Sequence, residues 1–183
     1  MGTSDWLGLL ATVSAIILFL LVILRISRAT KRQRTSQKLQ RLNDIEDWVK
    51  EVISCGFGDD FNQTQDITDG KQLRSFTLDH LSKMRQRFVV MRARGRRMGK
   101  ITATFGQDLQ EAISLLIERL VEHVSLLNEC INTVPKTTGA PMSEFNEALA
   151  RAIASEERLS ESGFIITEAI TRNRTADVTD EMD

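Results

Sequence analysis

Tyrosine is absent from this chain of 183 residues, proline occurs only twice, and aromatic residues make up 5% of the composition. Strands favour aromatic and β-branched residues, so a chain poor in aromatic residues favours helices. The two prolines, Pro135 and Pro141, lie close together and mark one turn. The sequence therefore predicts an all-α fold.

Residues that carry chemistry are also scarce. Cys55 and Cys130 form no C-x-x-C motif, and cysteine and histidine are too scattered for a structural zinc site. His80 and His123 lie on or beside the apolar stripe of predicted helices, where a histidine is more often a packing residue. No Ser/Cys–His–acid order, metal spacing or phosphate-binding loop is present. We therefore expect no enzymatic activity, no cofactor and no metal.

Charge is missing from the stretch Leu7–Leu24, which runs for 18 residues without an ionisable side chain. About 20 apolar residues in a helix cross the hydrocarbon core of a bilayer. Basic residues follow this stretch, whereas a signal peptide carries them in front. The pattern predicts a transmembrane anchor over residues 1–26, in a single-pass membrane protein. Its N-terminus is expected outside and its C-terminal domain in the cytoplasm.

The charged residues divide the chain into a basic first part and an acidic second part. Residues 1–100 contain 18 Lys and Arg against 10 Asp and Glu, and residues 101–183 contain 6 against 15. Two basic segments are expected to contact an anionic lipid surface or another polyanion: the juxtamembrane residues 27–38 and the acid-free run Lys83–Lys100. The predicted contact residues are Arg28, Arg32, Arg34, Arg92, Arg94, Arg96, Arg97 and Lys100.

Apolar residues recur at spacings of three and four over residues 39–171, which predicts an antiparallel bundle of about four helices. Gly95 and Gly99 are expected to end or break one helix, and Gly163 to interrupt another. The acidic tail 172–183 is expected to be disordered.

The strongest soluble helix, at about residues 105–131, has a nearly heptad-spaced seam. Additional apolar residues such as Leu115 and Val121 widen the apolar face beyond that of a two-stranded coil and favour a bundle. The seam is expected to pack in the bundle or to pair with a copy or another protein. It consists of Leu109, Ile113, Leu116, Leu120, Val124, Leu127 and Ile131.

These features favour a membrane-anchored, non-enzymatic scaffold, adaptor or assembly subunit that acts through protein–protein contacts, with a protein partner or a second copy. One alternative is a membrane-tethered nucleic-acid-binding protein that uses residues 83–100. Another is an accessory or sensory subunit of a membrane enzyme complex, with a cofactor near His80 or His123. Residues 164–170 either close the bundle or dock on a partner.

Overall fold

The computed structural model describes the backbone of residues 3–56, 70–102, 105–137 and 142–179. It also describes their side chains, except those of 3–17, 70 and 176–179. This part of the chain contains four α-helices and no strand, so the all-α prediction is confirmed. The helices are α1 (Thr3–Ser54), α2 (Gly70–Ile101), α3 (Gln107–Thr133) and α4 (Ser143–Thr179).

The chain divides into two compact units, Met1–Arg41 and Leu42–Asp183, and α1 contributes to both. In the first unit the apolar side chains between Leu18 and Ile26 are 46–67% exposed. Thr30 and Thr35 donate hydrogen bonds to carbonyl oxygens four residues earlier, those of Ile26 and Lys31. These hydroxyls are therefore satisfied within α1 itself.

The predicted membrane span is wrong, and with it the single-pass location. Among the described residues, no helix has an apolar stretch long enough to cross a membrane. Of the predicted span, the side chains of residues 18–26 belong to the described part of α1. The rest of the predicted span, residues 7–17, lies outside the described side chains.

In the second unit, each helix packs antiparallel beside the next, and α4 returns to α1. Between α3 and α4, Arg151 bonds to Glu129 and Arg119 pairs with Glu161. Residue numbers therefore increase along α3 in the direction in which they decrease along α4, as in an antiparallel pair. Bonds across the other interfaces close the ring. They join Trp48 to Met91, Arg85 to Asn128, and Arg174 to Glu46.

The core lies inside this ring and contains residues from all four helices. Trp48 is fully buried and donates an indole hydrogen bond of 3.0 Å to the carbonyl of Met91, which joins α1 to α2. Burial of aromatic and leucine side chains supplies about 1.5–3 kcal/mol each. The largest fully buried side chains are those of Trp48, Phe88, Leu42, Ile45, Leu81, Leu109, Ile113, Leu116, Leu120, Leu127, Leu159 and Ile166.

The glycines expected to break helices lie inside them instead. α2 continues through Gly95 and Gly99, and α4 continues through Gly163 into the predicted disordered tail as far as Thr179. A Cβ on Gly95 would lie 2.5 Å from the Trp48 ring, and one on Gly163 would lie 2.4 Å from the Cδ1 atom of Ile53. These glycines therefore mark close approaches between helices, which outweigh their low helix propensity.

Candidate functional site

The predicted seam of α3 lies in the core of its own chain. Six of its residues are 0–6% exposed, and Ile131 is partly buried against the same core. Because α2 and α4 cover the seam, it offers no apolar surface to another molecule. The six buried residues are Leu109, Ile113, Leu116, Leu120, Val124 and Leu127.

His123 is buried at the meeting point of three helices. Its Nδ1 lies 2.6 Å from the hydroxyl of Ser155 on α4, and its ring meets that of Phe88 on α2 edge to face at 4.4 Å. Burial lowers the pKa of His123 to about 4, because the charged imidazolium would lose its hydration. His123 is thus a neutral core residue near pH 7.

The other potentially reactive side chains are also packed against their neighbours. His80 stacks on Phe76 within α2, with ring centroids 6.1 Å apart. Both cysteines are free and buried. Burial raises the pKa of the Cys130 thiol to about 11, with Glu129 adding to the effect. Burial also raises the pKa of Cys55, although nearby Arg87 opposes the shift. Neither thiol is activated as a nucleophile at neutral pH.

The predicted basic run forms one exposed side of the second unit. α2 contains ten Lys and Arg and one Asp, a net charge of +9. Arg94 pairs with Glu51 of α1, and Arg92 is half-buried. The side chains of Arg96, Arg97 and Lys100 are exposed, and within the described part of the chain they form no ion pair. We call Arg92, Arg96, Arg97 and Lys100 the basic end of α2.

The other predicted contact residues, Arg28, Arg32 and Arg34, are exposed on α1. They belong to the first unit, whereas the basic end of α2 belongs to the second. Joint contact of the two groups with one polyanion stays a prediction.

α4 contains the segment 164–170, for which the sequence left open whether it closes the bundle or docks on a partner. Ile166 and Ile170 are buried in the core, whereas Phe164 and Ile165 are 67% and 45% exposed. The segment 164–170 therefore closes the bundle with one side and faces solvent with the other. Glu161 lies one turn before Phe164. We call Phe164 together with Glu157 and Glu161 the acidic–aromatic face.

A groove of about 510 Å³ lies between α1 and α2. Val90, 54% exposed, and the buried Met91 and Cys55 give it an apolar floor. Lys83 and Arg87 line its edge on α2, and the ammonium of Lys83 lies 2.6 Å from Asp79. We call this the α1–α2 groove. A second groove, of about 670 Å³, lies beside the start of α3 and is lined by Phe105, Gln110, Glu111 and other α3 residues.

No group of three or more potential metal ligands occurs among the described residues. Models of known protein families give no match to the chain, and neither do curated proteins or solved structures. The features of the described residues that bear on function are therefore the charged and apolar surfaces of the bundle.

Proposed function

We propose that this protein is a non-enzymatic interaction protein, an adaptor or assembly subunit that works through protein–protein contacts. The observation that carries this proposal is the separation of charge on one bundle. α2 has a net charge of +9, whereas α3, with one Arg and five acidic residues, has −4. α4, with four Arg and seven acidic residues, has −3.

The buried groups support a structural role for the interior. The two cysteines and His123 are desolvated, and their pKa shifts favour the neutral forms. Catalytic groups are normally tuned toward the protonation state that reaction needs, in a site that substrate can reach. The exposed surfaces, by contrast, combine charge of one sign with apolar side chains, as protein interfaces often do.

The test is affinity capture from the cells that make the protein, with mass analysis of the bound proteins. The wild-type full chain is compared with Phe164→Asp/Ile165→Asp on α4 and with Arg96→Glu/Arg97→Glu on α2. All four positions are exposed, so the variants should fold. We expect specific proteins that one variant no longer retains. An identical set on all three baits would contradict the proposal.

A second candidate function is binding of nucleic acid by α2. It is favoured by the cations of its basic end, which form no ion pair with the residues that the structure describes. Contact of four cations with phosphates would give a salt dependence of about −3 to −4 in log K against log salt. Fluorescence anisotropy with single-stranded and duplex oligonucleotides measures this slope. Arg96→Glu/Arg97→Glu should reduce the slope by about half, and an unchanged slope would contradict the candidate.

A further inference from the structure

The acidic–aromatic face of α4 and the α1–α2 groove have complementary charge, and each also contains apolar surface. Phe164 exposes an aromatic ring beside carboxylates, and the groove offers an apolar floor beside Lys83 and Arg87. The carboxylate of Glu51 also lines the groove, where it pairs with Arg94. Exposed apolar side chains that are rimmed by charge are typical of interaction sites. The chain thus contains both halves of a possible contact.

The two sites also have the same spacing along their helices. Glu157 and Glu161 precede Phe164 by seven and three residues, and Lys83 and Arg87 precede Val90 by seven and three. Both pairs of intervals correspond to about 10 Å and 5 Å along a helix. If α4 of one molecule lies parallel to α2 of another, Phe164 meets Val90, Glu161 meets Arg87, and Glu157 meets Lys83.

The ring order of the bundle excludes this contact within one molecule. α2 and α4 each pack between α1 and α3, so they lie on opposite sides of the second unit. The ion pairs that these residues form within one molecule compete only weakly with a contact between two molecules. Glu161 lies 3.6 Å from Arg119 with its side chain 68% exposed, and Lys83 is 68% exposed beside Asp79. Such exposed pairs contribute little and can be exchanged.

We propose that the protein associates with copies of itself, with the acidic–aromatic face of one molecule in the α1–α2 groove of the next. The partner is thus a second copy, and the contact is heterologous. Such contacts produce a ring if the rotation between neighbours closes and a filament if it does not. This inference rests on the proposed function, since it identifies one partner of the same surfaces.

The test uses charge reversal on the full chain, with light-scattering mass measured over a wide range of protein concentration. The groove variant is Lys83→Glu/Arg87→Glu and the face variant is Glu157→Lys/Glu161→Lys. The wild type should grow in mass with concentration. Each variant alone should stay monomeric, because its two sites then have the same sign of charge.

An equimolar mixture of the two variants gives the sharper result. The reversed groove meets the reversed face, and the unchanged groove of one variant meets the unchanged face of the other. The mixture should therefore recover at least half of the assembly of the wild type. Recovery also shows that both variants fold, and circular dichroism of each one alone gives an independent check.

Two further variants keep the test specific. Arg74→Glu/Arg85→Glu makes the same change in charge on the same helix at exposed positions outside the groove, and should assemble like the wild type. Phe164→Ser changes no charge and should weaken assembly at least tenfold, because the ring loses its buried contact.

Three results would overturn the inference: a wild type that stays monomeric, a mixture that does not recover, or a control that loses assembly as the groove variant does. A monomeric wild type that still captures specific proteins would overturn self-association alone and leave the proposed function standing. Loss of both would remove the proposed function as well.

Discussion

The interface between α3 and α4 and the interfaces that α1 makes with its neighbours are built in different ways. α3 presents large leucines to α4, which contributes small buried residues such as Ala148, Ala152 and Ser155. α1 presents Trp48 and Ile53 to glycines, Gly95 on α2 and Gly163 on α4. In the α3–α4 interface, large side chains recur periodically along one helix. In the interfaces of α1, glycine has no side chain, and this allows the large side chain of α1 to approach closely.

The two kinds of interface differ in whether the sequence of a single helix is enough to predict them. A seam of leucines is a property of one helix, since its spacing alone shows which side is buried. We call such a glycine, which lets a side chain of a neighbouring helix approach closely, a glycine notch. A notch is a property of two helices, because it exists only where the neighbouring helix places a large side chain. Four predictions test this contrast, in decreasing order of their effect on stability.

Leu120→Asp should have the largest effect, because Leu120 is fully buried in the seam of α3. The change removes the packing of a leucine and leaves a carboxylate without compensation in the core. We expect a loss of about 4 kcal/mol or more in the free energy of unfolding, enough to unfold many domains. Urea unfolding followed by circular dichroism measures it.

The matched control is Leu115→Asp on the same helix, where the side chain is 38% exposed. We expect a loss of less than about 1 kcal/mol there, because the carboxylate keeps access to water. Equal losses in the two variants would mean that the described seam is not the buried side of α3.

A fall in pH should weaken the contact of α3 with α4 through His123. Its pKa is about 4 in the folded chain and about 6.5 in an unfolded one, so the unfolded chain binds more protons between these values. Stability is therefore complete above about pH 6.5 and falls as the pH drops toward 4. The expected total loss is about 3 kcal/mol, of which about 2 kcal/mol appears between pH 7 and pH 5.

Urea unfolding at pH 7 and pH 5 measures this loss, and His123→Leu is the control. The variant leaves Ser155 without its imidazole partner, which lowers stability at both pH values alike. Carboxylates such as Glu46, whose pKa is lowered by its hydrogen bonds to Lys50 and Arg174, lose their contribution at lower pH. If the variant keeps the full pH dependence between pH 7 and pH 5, His123 is not its source.

Gly95→Ala should destabilise the contact of α1 with α2. The new methyl group would lie 2.5 Å from the ring of Trp48, which its hydrogen bond to Met91 holds in place. Overpacking of this kind costs about 1–3 kcal/mol, and the gain in helix propensity offsets up to about 1 kcal/mol. We therefore expect a net loss of about 1–2 kcal/mol in urea unfolding.

Gly99→Ala on the same helix is the matched control, because its new methyl group would lie no closer than 3.8 Å to Ile117. It should stabilise the chain by about 0.5–1 kcal/mol, since only the gain in helix propensity remains. The two glycines are thus expected to respond with opposite signs. A stabilising effect at both positions would contradict the close approach of Trp48.

The sequence alone predicts the all-α bundle and the seam of α3, because these follow from composition and periodicity. It does not predict the notches at Gly95 and Gly163, since glycine lowers helix propensity locally and only tertiary packing reverses that preference.

The sequence likewise predicts only one part of the candidate site. The charge of α2 is plain in the sequence. The exposure of Phe164 beside the buried Ile166 becomes clear only once α4 is known to continue through Gly163. The apolar run Leu7–Leu24 was assigned as a membrane span from its length and from the basic residues that follow it, whereas no helix among the described residues has an apolar stretch long enough to cross a membrane.

The smallest effects should come from the ion pairs that flank the two kinds of interface. Arg158 bonds to Glu122 between α3 and α4 with both side chains 46–50% exposed. Arg174 bonds to Glu46 and Asn43 of α1, and the side chain of Glu46 is only 19% exposed. Exposed pairs contribute about 0.2–1 kcal/mol. Arg158→Ala should fall at the low end of that range, and Arg174→Ala at the high end.

Urea unfolding at low and at high salt separates the two, because salt screens the more exposed pair more completely. The reason for the difference lies in the interfaces themselves. Leucines already hold α3 to α4, so their ion pair adds little, whereas α1 meets α4 where Gly163 offers no side chain of its own. A larger loss for Arg158→Ala than for Arg174→Ala would show that the polar contacts of α1 do not compensate for the glycine notch.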